Sequence, residues 1–271
     1  MRRLDAFDAP AIGFAPEAVL FDMDGLMIES ERALLECWRA AADELALDLD
    51  DALWLSMVGL HDRACLDLLH ARLDPPQVRA LVDGTADRHG GVHILVNCAA
   101  APGGLVRNAI EEADEKNLLL DLNTKLLGYF RMCKACVPHM RRAQWGRIVN
   151  VGGLTARCTE ALSGMRNTAL VHLTKTLSDE VGRDGITVNI IHPGVTRTEH
   201  VEHWFADMAK AEGITYDAFV KREAGDPAAI RRMLEVSEVA DPIVFLASSL
   251  GSGITGESIA VDGGLSRAVF L

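Results

Sequence analysis

Residues 146–193 read GRIVNVGGLTARCTEALSGMRNTALVHLTKTLSDEVGRDGITVNIIHP. Two apolar runs, GRIVNV at 146–151 and GITVNIIHP at 185–193, bracket a stretch of helical spacing. Runs that are apolar throughout, without polar alternation, predict strands covered on both faces, as in a parallel sheet. Parallel neighbours need a crossover of a dozen or more residues, and the segment between the two runs is long enough to supply it as a helix. The pattern repeats outward, with VHILVN at 92–97, ESIAVDGG at 257–264 and VLFD at 19–22. Strands alternating with helices in this way predict a three-layer α/β fold.

The alternation is that of a Rossmann-like parallel sheet, with a helical, cap-like insertion near the N-terminus. The 271 residues carry a formal net charge of −12, which argues against a phosphate-backbone-binding surface and favours small-molecule substrates over nucleic acid. No run reaches the roughly 20 apolar residues of a membrane span, so a cytoplasmic protein is expected. Six cysteines are scattered without the spacing of a disulfide framework. Cys133 and Cys136 form a CxxC, which reads as core thiols of a buried helix because structural zinc wants four ligands. Pro75 and Pro76 interrupt the helical pattern and predict a boundary between residues 1–76 and 77–271. Beyond it, QVRALVDGTADRHGG reads as a helix ending at paired glycines.

Near the N-terminus, VLFDMDGLMIESE delivers Asp22 and Asp24 at the end of an apolar strand. Two residues apart, they lie on one side of an extended chain, where Asp22 could attack a phosphoryl group while Asp24 exchanges a proton with the leaving oxygen. Magnesium on Asp22 and Asp24 would shield the anions. The segment resembles the haloacid dehalogenase-like hydrolases, whose first motif is hhhDxDGhhhxSE, and residues 31–73 resemble their helical cap. A helical hairpin covering a sheet edge is the equal alternative. The Ser or Thr, the Lys and the further acidic pair that such a hydrolase needs are not found downstream.

From about residue 77 the chain resembles the short-chain dehydrogenases over roughly 190 residues, which implies a nicotinamide cofactor, NAD or NADP. Asn97, Cys98, Ala99 and Ala100 stand where that family has NNAG, and this implies that Asn97 and Ala99 support the sheet beside the bound cofactor. Asn123 takes the position of the helix Asn that holds a water in the proton relay. Pro193, Gly194 and Thr198 match PGxxxT, whose backbone and hydroxyl contact the nicotinamide carboxamide. FLASSLGSGITGESIAVDGG resembles the C-terminal signature.

The catalytic centre departs from this pattern. Gly153 stands at the catalytic Ser, Ser163 at the Tyr and Asn167 at the Lys, with the intervening loop about three residues short. A serine hydroxyl is too weak an acid to replace the tyrosine, and loss of positioned acid–base help removes about 10²- to 10⁴-fold in rate. The resemblance extends to divergent members with SGxRN at this place, which implies either an alternative polar cluster of Ser163, Arg166 and Asn167 or polar residues kept without catalysis. The glycine-rich turn TGxxxGIG, which brings backbone N–H groups to the pyrophosphate, has no counterpart before Gln77. Residues 251–256 do spell GxGxxG, but they follow a helix and lead into a strand, the reverse of a dinucleotide fingerprint. His139 reads as a cation near a helix end and His192 as strand-end packing. Residues 199–224 show no pure core pattern. The resemblance makes them a lid with Trp204, Phe205 and Tyr216 toward a pocket, or else a flap with nothing beneath it.

Joined together, the two parts place VLFD beside VHILVN in the position of the missing first strand, with Asp22 and Asp24 at the crevice where a pyrophosphate would sit. Three readings follow. One is a divergent or impaired oxidoreductase using NAD(P)(H). Another is a magnesium-dependent phosphatase built on Asp22. The third is a non-enzymatic, chimeric chain that associates with copies of itself as a homo-oligomer or with a full-length relative.

Overall fold

A computed structural model describes residues 19–22, 75–100, 109–158 and 161–267. Five strands form one sheet in sequence order, β1 Val19–Asp22, β2 Ile94–Asn97, β3 Gly146–Val151, β4 Ile186–Pro193 and β5 Ser258–Val261. Every pairing is parallel. The expected docking of VLFD is present: Val19 pairs with Ile94 and Asp22 with Asn97, so β1 is the edge strand among the described residues, beside β2. Every residue of β2 and β3 is buried, which is the reason those strands read as unbroken apolar runs. The cap-like segment 31–73 lies outside the described residues.

The crossovers are α1 Pro75–His89, α2 Glu115–Asp121, α3 Gly128–Ala143, α4 Gly164–Val181, α5 Glu199–Glu212, α6 Tyr216–Val220 and α7 Val236–Ala247. Between α2 and α3 the helix widens into a π turn, Leu122–Leu127. On one face Leu95, Ile148 and Val188 pack with Val82 of α1 and with Met132, Cys136 and Met140 of α3. On the other, Val149, Val151 and Ile191 pack against Val239 and Leu246 of α7. Alternate strand residues therefore feed opposite layers. Each fully buried aliphatic side chain contributes about 1.5–3 kcal/mol.

Three expectations change. Helix α1 begins at Pro75 itself, not after the proline pair. Proline is tolerated in the first turn because the N–H it lacks would have no helical partner there. His139 joins helices instead of serving an end dipole alone, with its Nε2 2.7 Å from Asp83 Oδ1 of α1. Residues 199–225 have a core of their own, in which Phe205 and Phe219 meet edge to face at 5.1 Å among Ala209, Ala224 and Met233. Cys133 and Cys136 are both buried in the main core, as their helical setting suggests.

Candidate active site at the strand ends

The C-terminal ends of β2, β3 and β4 are tied by buried polar groups. Asn97 and Asn150, paired in register, share a 2.8 Å bond from Asn97 Nδ2 to Asn150 Oδ1, and Asn150 Nδ2 donates to Thr174 Oγ1 of α4 at 2.9 Å. Asn97 thus braces the sheet under the crevice. Just beyond it, the carbonyl of Ala99 lies 3.0 Å from the Tyr129 hydroxyl, which is equally close to the Val151 carbonyl and shares its proton between them.

Gly152 and Gly153 follow β3, and close approach makes both glycine. A Cβ on Gly152 would stand 2.6 Å from His192 Nδ1, and one on Gly153 would stand 2.7 Å from Asn167 Nδ2. The amide of Asn167 therefore fills the space beside the position of the expected catalytic serine. Asn167 Nδ2 donates to Thr155 Oγ1 at 2.7 Å, while its Oδ1 is buried with no hydrogen-bond partner among the described residues. Gly152→Ala is expected to cost about 1–3 kcal/mol, since the imidazole and Ile190 both stand in the way. A urea midpoint lowered at unchanged slope is the expected reading, and an unaltered midpoint would show that His192 moves aside freely.

His192, on β4, is fully buried. Its Nδ1 lies 2.9 Å from the Gly153 carbonyl oxygen and 3.0 Å from the Gly153 backbone nitrogen, and its Nε2 lies 2.9 Å from Ser258 Oγ on β5. Burial, with the Arg157 charge next in weight, pushes its pKa down to about 4, so the ring is neutral at pH 7. It is a structural link across three strand ends, in keeping with the packing role read from its neighbours. Gly194 beyond it presses on Asp262, where a Cβ would come within 2.8 Å of Cα, and its N–H donates to the Val261 carbonyl at 2.9 Å. Pro193 ends β4 in register with Val261. Thr198 caps α5, its hydroxyl accepting from the Val201 N–H at 3.2 Å.

The side chains of Ser163, Arg166 and Asn167 make no hydrogen bonds to one another among the described residues. Ser163 precedes α4 without capping it through its side chain. Arg166 turns to Asp121 at the end of α2, and the two form a buried ion pair. Asn123 accepts from Arg131 Nη2 at 2.9 Å. The side chain that the π turn sends to the end of β3 is instead Lys125, whose Nζ donates to the Gly152 carbonyl at 2.9 Å. Sequence reading did not single out Lys125 or Asp121; the available signal was a lone cation in the apolar run LLLDLNTKLLGYF. Asp22 is described by its backbone alone, and Asp24 lies outside the described residues. The GxGxxG string at 251–256 lies between α7 and β5 as its context implied, and Gly256 fits there because a Cβ would strike Ser178 Oγ at 2.6 Å.

An open cavity of 580 Å³ lies beside the start of α4, lined by Thr155, Leu162, Gly164 and Met165 among others. Another, of 310 Å³, lies at the opposite ends of the strands near Gly90, His93 and His139, away from these groups. In parallel α/β sheets ligands bind outside the carboxyl ends of the strands, which makes the first end the candidate site.

An all-parallel, doubly covered sheet with its polar groups gathered at the strand carboxyl ends defines a dinucleotide-fold α/β protein. Residues 73–266 match the family model described as enoyl-(acyl carrier protein) reductase. A D-beta-hydroxybutyrate dehydrogenase of Rhizobium meliloti is 30% identical over 193 residues, 70% of this chain and 74% of that protein. A 3-oxoacyl-(acyl-carrier-protein) reductase of Vibrio cholerae is 32% identical over 196 residues, covering 71% and 74%. Among solved structures, the L-sorbose reductase of Gluconobacter frateurii, complexed with NADPH and L-sorbose, matches with a TM-score of 0.66 and 27% identity over 72% of this chain and 74% of that one. The chain belongs to the short-chain dehydrogenase/reductase family of oxidoreductases. No helix among the described residues is long and apolar enough to cross a membrane.

Proposed function

We propose that this chain is a divergent short-chain reductase, exchanging hydride between NAD(P)(H) and a small ketone or secondary alcohol, with the family's serine–tyrosine–lysine relay replaced and its hold on the pyrophosphate weakened. The observation that carries the reading is Asn167. Its amide fills the place beside Gly153, so the serine and lysine of the three-residue relay are absent together and the space is rebuilt around other polar atoms.

The described residues fit the nicotinamide end of such a cofactor. The Asn167 Oδ1, buried with no partner among the described residues, is a polar group in want of one. Pro193, Gly194 and Thr198 would hold the carboxamide, with Ala99 and Asn97 supporting the floor. At the pyrophosphate end the sequence offers DMDG in place of a glycine-rich turn, and carboxylates repel phosphate. When bound, the nicotinamide supplies or accepts the hydride. The chain orients the carbonyl at the strand ends and handles the accompanying proton. The names of the relatives, a hydroxybutyrate dehydrogenase, an oxoacyl reductase and a sorbose reductase, support a ketone-to-alcohol interconversion.

Titration followed by nicotinamide fluorescence is expected to show NADPH or NADH binding with a Kd of roughly 0.1–1 mM, about 4–5.5 kcal/mol of binding free energy. Absence of any signal change at millimolar cofactor would remove the reading.

A further inference from the structure

We infer that Lys125 is the acid–base residue of this chain, giving a proton to the carbonyl oxygen of the substrate as hydride reaches its carbon, in place of the absent tyrosine. The inference rests on the oxidoreductase reading above.

The geometry points to it first. Lys125 sits in the π turn between α2 and α3, and π turns within helices occur frequently at functional sites. The side chain is 4% exposed and reaches the end of β3, one residue before Gly153. Its ammonium has three donors, one of them spent on the Gly152 carbonyl, and no carboxylate among the described residues pairs with it. A buried cation that meets no carboxylate among the described residues is costly to keep there, which calls for a role beyond packing. Burial pushes its pKa down to about 8, with the Cys98 thiol opposing the shift. The remaining ionisable groups around it are neutral or already committed: His192 on β4 is bonded through both ring nitrogens, Arg157 binds Ser258, and Arg166 of α4 is paired with Asp121 of α2.

Other donors at these strand ends are less suited. The Asn167 amide does not exchange protons at neutral pH, the Ser163 hydroxyl is a weak acid, and the Tyr129 hydroxyl is shared between two carbonyls inside the core. A lysine with a lowered pKa is matched to proton transfer near pH 8. In reduction the carbonyl carbon gains hydride from a reduced nicotinamide, the C=O π pair moves to oxygen, and oxygen takes a proton from Lys125 Nζ. A C–H and an O–H bond form, the carbonyl is reduced, the nicotinamide is oxidised, and the neutral amine recovers its proton from solvent. Alcohol oxidation runs the same steps in reverse.

The test uses the full chain, NADPH and ethyl acetoacetate, with the variants Lys125→Met and Lys125→Arg. Cofactor fluorescence, thermal melting and an NMR titration of lysine side chains labelled at Cε accompany the kinetics. One lysine signal is expected to titrate near pH 8 and to vanish in Lys125→Met. That variant should keep its melt and its NADPH binding within about threefold yet lose about 10²- to 10⁴-fold in kcat. The wild-type rate of reduction should be level below pH 8 and fall above it, and the residual rate of the variant should lack that fall. Lys125→Arg, which stays protonated throughout, should be slow in the same way and carries the comparison if the methionine variant does not fold. A Lys125→Met rate within about threefold of wild type, a retained alkaline fall, or a lysine that titrates above pH 10 overturns the assignment while leaving the oxidoreductase reading in place. A wild type that neither binds nor oxidises NADPH overturns both, whatever the NMR titration gives.

Discussion

Asp121→Ala is expected to remove about 3–5 kcal/mol of folding stability, the largest loss among the substitutions considered. Asp121 closes α2 with a side chain 1% exposed, and Arg166, at the start of α4, is 12% exposed. Burial pushes the guanidinium down to about 10, which still leaves it charged at neutral pH. Without the carboxylate, that charge stays in the interior with no compensation. The pair itself need not be strongly stabilising, because desolvation of two ions offsets most of their attraction. Asp121→Leu combined with Arg166→Met should therefore recover most of the loss. Urea unfolding of Asp121→Ala measures the first effect, and a double-mutant cycle of wild type, Asp121→Leu, Arg166→Met and the double variant measures the second. A loss below about 1 kcal/mol in Asp121→Ala would mean that water reaches the pair. The pair also sets where α4 begins relative to α2, so its rupture would loosen the walls on either side of Lys125.

The second large effect is in acid. His192 ordinarily titrates near 6.5, and in the folded protein it is held to about 4, chiefly by burial and then by the Arg157 and Lys125 charges, against a smaller opposite effect of the Gly153 hydrogen bond. Below pH 6.5 the unfolded chain takes up a proton that the folded chain refuses. The contribution is whole above 6.5, declines through the interval and is gone once pH falls past 4. At about 1.4 kcal/mol per unit, the interval amounts to roughly 3 kcal/mol. His192→Gln keeps a polar side chain without the titration, so its stability should vary less between pH 6.5 and 4 than that of the wild type. Parallel slopes for the two proteins over that interval would show that His192 does not govern the loss. Glu238, lowered from 4.5 to about 2 first by its bond to Arg232, loses its contribution between those values and so overlaps only the acid end of the interval.

Most of the sheet was legible in the sequence. VHILVN, GRIVNV and ITVNIIHP are apolar because helices cover them on both faces, and that pattern is local. The docking of Val19–Asp22 beside β2 was also legible, since a strand of that kind fits one vacancy in the order. The core of residues 199–225 was not, because Phe205 and Phe219 belong to different helices and their burial depends on how the intervening turn folds back. The site divided in the same way. Positions 153, 163 and 167 could be read one by one, whereas the contact of the Asn167 amide with Gly153 is a fact of distance. Lys125 escaped notice because a π turn has no distinctive sequence, and the extra width of that turn decides whether a lysine faces water or the strand ends. The Asp121–Arg166 pair joins residues on helices separated by α3 and β3, a proximity that no local pattern encodes.

Strand β1 has a consequence for how such a chain is assembled. Its partner residues on β2 stand more than a quarter of the chain away, yet loop-closure entropy rises only with the logarithm of loop length, about 0.6 kcal/mol for each doubling. A long excursion between the two strands is thus little harder to close than a short one. The parallel ladder tests backbone geometry and three apolar positions, Val19, Leu20 and Phe21. By occupying the β2 edge, the four residues of β1 deny it to the strands of other molecules and hand the edge to a strand of only four residues, too short to template a long pairing.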